Sequence, residues 1–448
     1  MAIIDNKILT PITNVQNLAR KPTPDILTYQ QLQAVFDAGP EALRVKLNAL
    51  IDGIMADYET QLDLTNARKL SATGDFTGTL NGGAIMASGP GLQATVVQHL
   101  ADIAAHGTMA RQTIINGNFD IWQRGINFVN ALGSVADRWK VSQTADGGTM
   151  PNITISKQPV LNEELLNSVA YLRVHCDGSG SAFGTNAIYQ IGQPIENGAK
   201  LLAGSNKKIT ISFMARSSIP NKKIGVYGLQ NYGTGGTPSI LEVVKGSSFT
   251  LTASFQKFTC TIPLNSLNGK TFGTNNDDYI TMFFVPVWGV TSGLNTLNNS
   301  ISESFISAGD IDIAQVQINT GDIALPFTPK NIVTELRDCM RYCFVLAELS
   351  SSFLIGYGLA YSTTTALIGV DFPVQMRVPP TLVAIATDWQ VADGVTITNA
   401  TAISIFVPHN AKTKTSLSLT VAGGLTQFRT MYLQSKFGGN VLIFDAEL

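Results

Sequence analysis

Lys208-Ile209-Thr210-Ile211-Ser212-Phe213-Met214 decides the class of this fold, because polar and apolar residues alternate from Lys208 to Phe213. Successive side chains of a strand point to opposite faces, so a period of two predicts a strand with one face on a core and one in water. Short runs of similar character surround it at 171–174, 187–191, 224–229, 249–251, 258–263, 280–287 and 311–318. The links between them carry Gly, Asn, Pro and Ser, and no long helical pattern intervenes. Short strands at regular intervals with turn residues between them predict an antiparallel β-sandwich.

The same signals resume after a helix expected at 335–343. Segments 366–372, 381–386, 394–399, 402–407, 416–421, 427–434 and 440–444 read as strands of a second, smaller β domain. Val441-Leu442-Ile443-Phe444 is an unbroken apolar run, expected to be buried on both faces. The first 112 residues are of another kind. Thr28 with Gln31 has the form of a capping box for a helix ending near Phe36, and Pro40 suits the first turn of a second helix. In that helix Leu43, Leu47, Leu50 and Ile54 make a face of about two heptads, which packs on a core or on its own copies in a trimer. Segment 74–83 isolates Phe76 and Leu80 among Gly and Asn, and three intertwined chains bury such residues more readily than one. A further helix is expected at 92–110, with His99 and His106 read as surface or packing residues.

The chain has 448 residues, 44% of them hydrophobic and only 14% charged, against a usual charged share of about 25%. Its polar surface is therefore made of Asn, Thr, Ser, Gln and Gly, a composition suited to β-rich extracellular or virion proteins. A net charge of −2 with no basic cluster argues against nucleic acid as partner. No apolar stretch approaches the ~20 residues of a membrane span. The start, Met1-Ala2-Ile3-Ile4-Asp5, lacks a basic and then apolar leader, so synthesis and folding in a cytoplasm are expected. Cys176, Cys260, Cys339 and Cys343 are too scattered for a disulfide framework. Cys339 and Cys343, at i and i+4 on the expected helix, lack the further ligands of a metal site nearby in sequence.

The most specific residues are Ile114-Ile115-Asn116-Gly117-Asn118-Phe119-Asp120-Ile121-Trp122-Gln123-Arg124-Gly125, followed by Ala136-Asp137-Arg138-Trp139. This opening resembles a module of bacteriophage and prophage tail fibres that is itself similar to carbohydrate-binding jelly rolls. A matching close stands at Ile311-Asp312-Ile313-Ala314-Gln315-Val316-Gln317-Ile318-Asn319-Thr320-Gly321 and Pro326-Phe327-Thr328-Pro329. The end, Phe444-Asp445-Ala446-Glu447-Leu448, resembles that of a distal fibre head. Opening, close and head stand in the expected order over about 330 residues. The resemblance implies a mainly β protein with three parts. These are a helical or irregular virion-attachment, trimerisation and shaft region (1–112), a carbohydrate-binding-like jelly roll (113–335) and a β-sandwich receptor-binding head (336–448). It implies a homotrimeric tail fibre on the virion, made in a bacterial cytoplasm and joined to other tail or baseplate proteins. Its partner would be a host cell-surface polysaccharide or glycan. The related jelly rolls often hold a structural Ca²⁺, for which the resemblance offers Asn118, Asp120 and Asp312.

For the sugar itself, the exposed aromatic and polar side chains of the head are the candidates: Trp389, Tyr357, Tyr361 and Tyr432 as stacking surfaces, Asp388 and His409 for hydroxyls. Asp388 and Asp393 bracket Trp389 in what reads as one loop, which keeps a polysaccharide depolymerase open as an alternative to a non-catalytic binder. A structural fibre or baseplate component without its own receptor site is the other alternative. No nucleophile elbow, phosphate loop or metal-ligand cluster is present.

Overall fold

The computed structural model describes residues 113–448, apart from 162, 182, 300, 304–306, 348–352 and 439–440, together with the helical positions Val45, Asn48 and Ala49. Those three positions aside, the expected helices at 28–36, 40–54 and 92–110 and the segment 74–83 lie outside the described residues, and with them the trimerisation and shaft region.

Residues 113–331 build two six-stranded antiparallel sheets. One has the order β1 (Asn127–Val129), β4 (Ile153–Pro159), β5 (Ala170–Cys176), β12 (Gly309–Thr320), β7 (Lys208–Ser217), β10 (Gln256–Pro263). The other runs β2 (Gly133–Ser134), β3 (Lys140–Thr144), β6 (Ile188–Glu196), β11 (Tyr279–Trp288), β8 (Lys223–Asn231), β9 (Glu242–Thr250). From β5 onward the chain distributes its strands as β5-β12-β7-β10 in one sheet and β6-β11-β8-β9 in the other, the double Greek-key order of a jelly roll. Ile209, Ile211 and Phe213 of β7 point into the core between the sheets, where Phe213 meets Phe284 edge-on at 4.9 Å and Trp139 lies 6.0 Å from Phe284. The alternation in β7 has a second consequence. Thr210 and Ser212 lie on the opposite face, yet they are buried rather than wet. The chain after β12 crosses that face: Thr210 donates to the Gly321 carbonyl (2.9 Å), and the Gln317 amide to those of Leu325 and Pro326 (3.2 and 3.3 Å). Hydroxyls and amides suit this layer because they satisfy the crossing backbone.

The opening motif knots the end of the sandwich. Asn116 donates to the carbonyls of Ile121 (2.7 Å) and Asp137 (3.1 Å), and the Trp139 indole donates to Asn116 O at 3.0 Å. Phe119 packs on Trp139 at 4.9 Å. A helix, α3 (Ile332–Met340), then leads into the last β region across the boundary expected at 335; earlier short helices are α1 (Gly198–Leu202) and α2 (Val290–Thr296). Cys343 is not on that helix with Cys339; it opens a strand, β13 (Cys343–Ala347).

The last region is a barrel, where a sandwich was expected. Six strands close in the order β14 (Leu354–Ala360), β15 (Thr365–Asp371), β19 (Lys414–Val421), β18 (Ile397–Ile405), β17 (Trp389–Ala392), β20 (Thr430–Ser435), because β20 pairs with both β14 and β17. Closure removes the free edges an open sheet would expose. Segments 394–399 and 402–407, expected as two strands, are joined in β18, whose register slips by a bulge between Ala400 and Ala402. A three-stranded sheet, β13-β21-β16, lies beside the barrel, with β16 at Thr381–Val383 and β21 at Val441–Asp445. In β21 burial alternates: Leu442 and Phe444 are buried while Val441 is exposed, so this strand has one covered face and not two.

Residues from 113 on belong to one compact unit, and the jelly roll and barrel region meet in a seam of ions. Arg124 reaches Asp445 (3.1 Å) and Glu447 (3.6 Å). Arg138, held at φ 73°, pairs with Glu447, donates to Pro194 O (2.6 Å) and lies 3.4 Å over the Tyr342 ring. Glu196 at the end of β6 accepts both Arg341 (2.8 and 3.0 Å) and the Tyr342 hydroxyl (2.6 Å).

Candidate functional site

The outer face of the barrel collects several of the candidate side chains. Between Leu354 and Gly356 the register of β14 against β20 slips by a bulge, and that slip sets which side chains of the strand face out. Ile355 packs on the barrel core and Ala360 is buried, while Tyr357 and Leu359 point outward. Tyr357 is 64% exposed and pairs directly with Tyr432 of β20. Beside it is Gly369 of β15, where an added Cβ would meet only the Tyr357 carbonyl, at 3.8 Å; the surface there is an open floor. Gly369 pairs with Ser416 of β19, and Phe406, just past β18, donates its N–H to Ser416 O at 2.8 Å. The His409 ring meets Phe406 edge-on at 4.8 Å, with Nδ1 3.1 Å from Ser416 Oγ. The Tyr361 ring lies 6.2 Å from that of Phe406. The next row along the strands is Leu359, Leu367, Ser418 and Ser404. Neither row carries a charged residue; the first charged pair on this wall is Asp371 with Lys414.

Aromatic rings with an apolar body and a polar tip, over a floor of Gly and Ser, offer flat apolar contact and nearby hydroxyl partners. Such a surface can hold a pyranose by its C–H face and its hydroxyls. Its two rows carry no carboxylate, and the nearest on the wall, Asp371, stands opposite Lys414. Tyr357, Tyr432, Tyr361 and His409 are thus brought onto one face. Phe406, Gly369 and Ser416 were missed in sequence, although Ser416-Leu417-Ser418-Leu419 carries the alternation of a strand whose outer face is small and polar.

Two expectations are corrected. Trp389 is 0% exposed: it opens β17 and fills the barrel core, since closure turns its side chain inward. The acids beside it are divided by that strand. Asp388 ends a 3-10 turn before β17, and Asp393 comes after β17 in a tight turn, accepting the N–H groups of Val395 and Thr396 and pairing with Arg429 at 2.9 Å. Those bonds hold the Asp393 carboxyl below the usual carboxylate range.

The Ca²⁺ set also fails to assemble. Asp312 is taken up by two guanidiniums, Arg173 (2.7 Å) and Arg216 (2.8 Å), on the outer face of its sheet. Asp120 instead lines a small cavity with Asn118, Val316, Gln317, Lys330 and Glu335. Burial raises the Asp120 carboxyl, and Asn118 donates to it at 3.2 Å. The Lys330 ammonium, 3.7 Å from Glu335, puts positive charge where a cation would have to sit. Among the described residues no three His, Cys, Asp or Glu side chains gather as metal ligands.

No protein-family model matches the chain, and no curated protein matches it. Several solved structures are similar at low identity. The N-terminal cellulose-binding domain of β-1,4-glucanase C from Cellulomonas fimi is 14% identical, with 42% of this chain and 90% of that one covered and a TM-score of 0.24. A xylan-binding domain of Xyn10C from Paenibacillus barcinonensis is 9% identical, covering 44% and 95%, with a TM-score of 0.23. A family 11 carbohydrate-binding module from Clostridium thermocellum is 11% identical, covering 43% and 95%, with a TM-score of 0.22. These likenesses are too distant to bear on function.

Proposed function

We propose that this protein is a non-catalytic receptor-binding fibre protein of a phage virion, attaching it to host cell-surface glycan through the outer face of the barrel. The observation that carries the reading is exposed Tyr357, paired with half-buried Tyr432, beside the bare, charge-free floor at Gly369 and Ser416. The tail-fibre part of the reading rests on the resemblance of the opening, closing and terminal motifs, and residues 1–112 are assigned trimerisation and the joint to other tail proteins. Single sugar sites are weak, about 4 kcal/mol at a millimolar Kd. Three copies per fibre and several fibres raise avidity ~10² to 10⁴-fold.

A depolymerase is disfavoured by geometry. Asp388 and Asp393 stand at opposite ends of β17, and the five residue steps along its four-residue strand separate their backbones by roughly 16 Å, against about 5–9 Å for a glycosidase pair. The test is adsorption of the full-length protein to host cells beside its Tyr357→Ala variant. Binding should fall at least about tenfold, since the loss compounds over three sites, with the melting temperature unchanged. Prolonged incubation of wild type with host envelope polysaccharide should release no reducing ends. Undiminished adsorption by the variant, or turnover by the wild type, would overturn the proposal.

A further inference from the structure

We propose that the barrel face binds an uncharged glycan as a chain several sugars long, using a second aromatic contact at Phe428; this rests on the carbohydrate reading above. Phe428 is 75% exposed, and its backbone is left-handed at φ 66°. Ala360 of β14 donates to Arg429 O (2.9 Å) and accepts from Phe428 N–H (2.7 Å), so two residues oppose one. That is a β-bulge whose first, left-handed position is ordinarily glycine. A phenylalanine is the more conspicuous there because nothing in the barrel core needs it. The loop behind it is fastened: Leu425 is buried and its N–H reaches Thr363 O (3.1 Å), Gln427 donates to Tyr361 O (3.1 Å), and Arg429 pairs with Asp393. The ring is held outward by a conformation that costs the chain energy, and strain of this kind collects where a surface has work to do.

Its position sets the ligand's length. Ala360 lies three residues along β14 from Tyr357, so the backbone positions that carry the two aromatic contacts are about 10 Å apart along the strand. One sugar ring cannot touch both; a chain lying along β14 and β20 can, crossing Leu359 and Thr430 between them. The missing charge sets its class. The two rows across this face carry no Lys or Arg, and the cations at its borders are already matched, Arg429 with Asp393 at 2.9 Å and Lys414 opposite Asp371, so no unmatched cation awaits uronic or sialic carboxylates and binding should be insensitive to salt.

The probe is an array of mono- to hexasaccharides, neutral and uronic-acid-containing, read with full-length wild type, Phe428→Gly and Tyr357→Ala. Glycine suits the bulge, so Phe428→Gly should melt no lower than wild type. Wild type should retain neutral chains of four or more units at least about tenfold better than the disaccharide of the same linkage, equally at low and high salt. Phe428→Gly should lose that length advantage and keep the disaccharide signal; Tyr357→Ala should lose both. All three should scatter light as three times the 47.9 kDa chain. Equal retention of monosaccharide and hexasaccharide, retention of acidic chains abolished by salt, or a Phe428→Gly variant with unchanged length dependence would overturn the inference and leave the carbohydrate reading standing. A lower melting point for Phe428→Gly, or a changed mass in either variant, would make the face a packing or self-contact surface and overturn it too. Silence on every sugar would sink the carbohydrate reading itself.

Discussion

Trp389 fills the middle of the barrel with its indole Nε1 meeting no acceptor among the described residues. The ring's apolar bulk is worth more there than its unpaired N–H costs, because a six-stranded barrel needs large side chains to fill it. Two substitutions separate those terms. Trp389→Ala should destabilise by about 3–5 kcal/mol through lost contact and a cavity. Trp389→Phe should cost less, because it also removes a buried donor whose desolvation costs about 1–3 kcal/mol. Chemical denaturation measures both, and cell adsorption by Trp389→Phe should match wild type. Loss of adsorption by Trp389→Phe at unchanged stability would put the ring back at the ligand. In sequence nothing distinguishes this tryptophan from an exposed one: Asp388 before it and Asp393-Gly394 after it make a loop signature, and only closure of the barrel, a long-range event, turns the ring inward.

Strand periodicity was legible for elements such as β7 and β19, because alternation is a local property. Their phase was not. The bulge after Leu354 decides which of Ile355, Tyr357 and Leu359 face out, and it depends on the pairing with β20. The bulge in β18 misleads in the other direction: Asn399-Ala400-Thr401 looks like a turn, yet the strand continues through it. β14 shows what pairing demands of sequence. A Cβ on Gly358 would lie 1.8 Å from the Leu367 carbonyl oxygen, a backbone atom that cannot move without breaking the β14–β15 ladder. Gly358→Ala should therefore destabilise by about 2–4 kcal/mol, well beyond the ~1 kcal/mol that strand propensity alone can change. A melting curve at or above wild type would mean that β14 can shift away from β15.

At the scale of the whole described unit, the jelly roll and the barrel are held together by charges whose protonation differs between folded and unfolded chain. Burial by itself would raise the Glu196 carboxyl, but the bonds from Arg341 and Tyr342 outweigh it, and the group is held below its ordinary 4.5. Burial and the same carboxylate push the Tyr342 hydroxyl up to about 12. Asp137, under Arg124 and Gln123, is raised above 3.8 because burial wins there. The two acids thus act with opposite sign. For Glu196 the folded chain binds fewer protons than the unfolded chain, so its contribution is complete above pH 4.5 and disappears as the pH falls through the depressed folded value. For Asp137 the folded chain binds more, so its contribution is largest at low pH and is lost as the pH rises above 3.8. A single pH–stability curve mixes the two, and a difference between variants separates them. Glu196→Gln should lower stability by about 1–3 kcal/mol at pH 7, the worth of hydrogen bonds to a charged partner. That gap should close as the pH drops below 4.5, where wild type comes to carry a neutral acid at the same place. Denaturant titrations of both proteins from pH 7 to pH 3 would show it. A gap that stays constant over that range would mean the Glu196 charge takes no part in joining the two β regions.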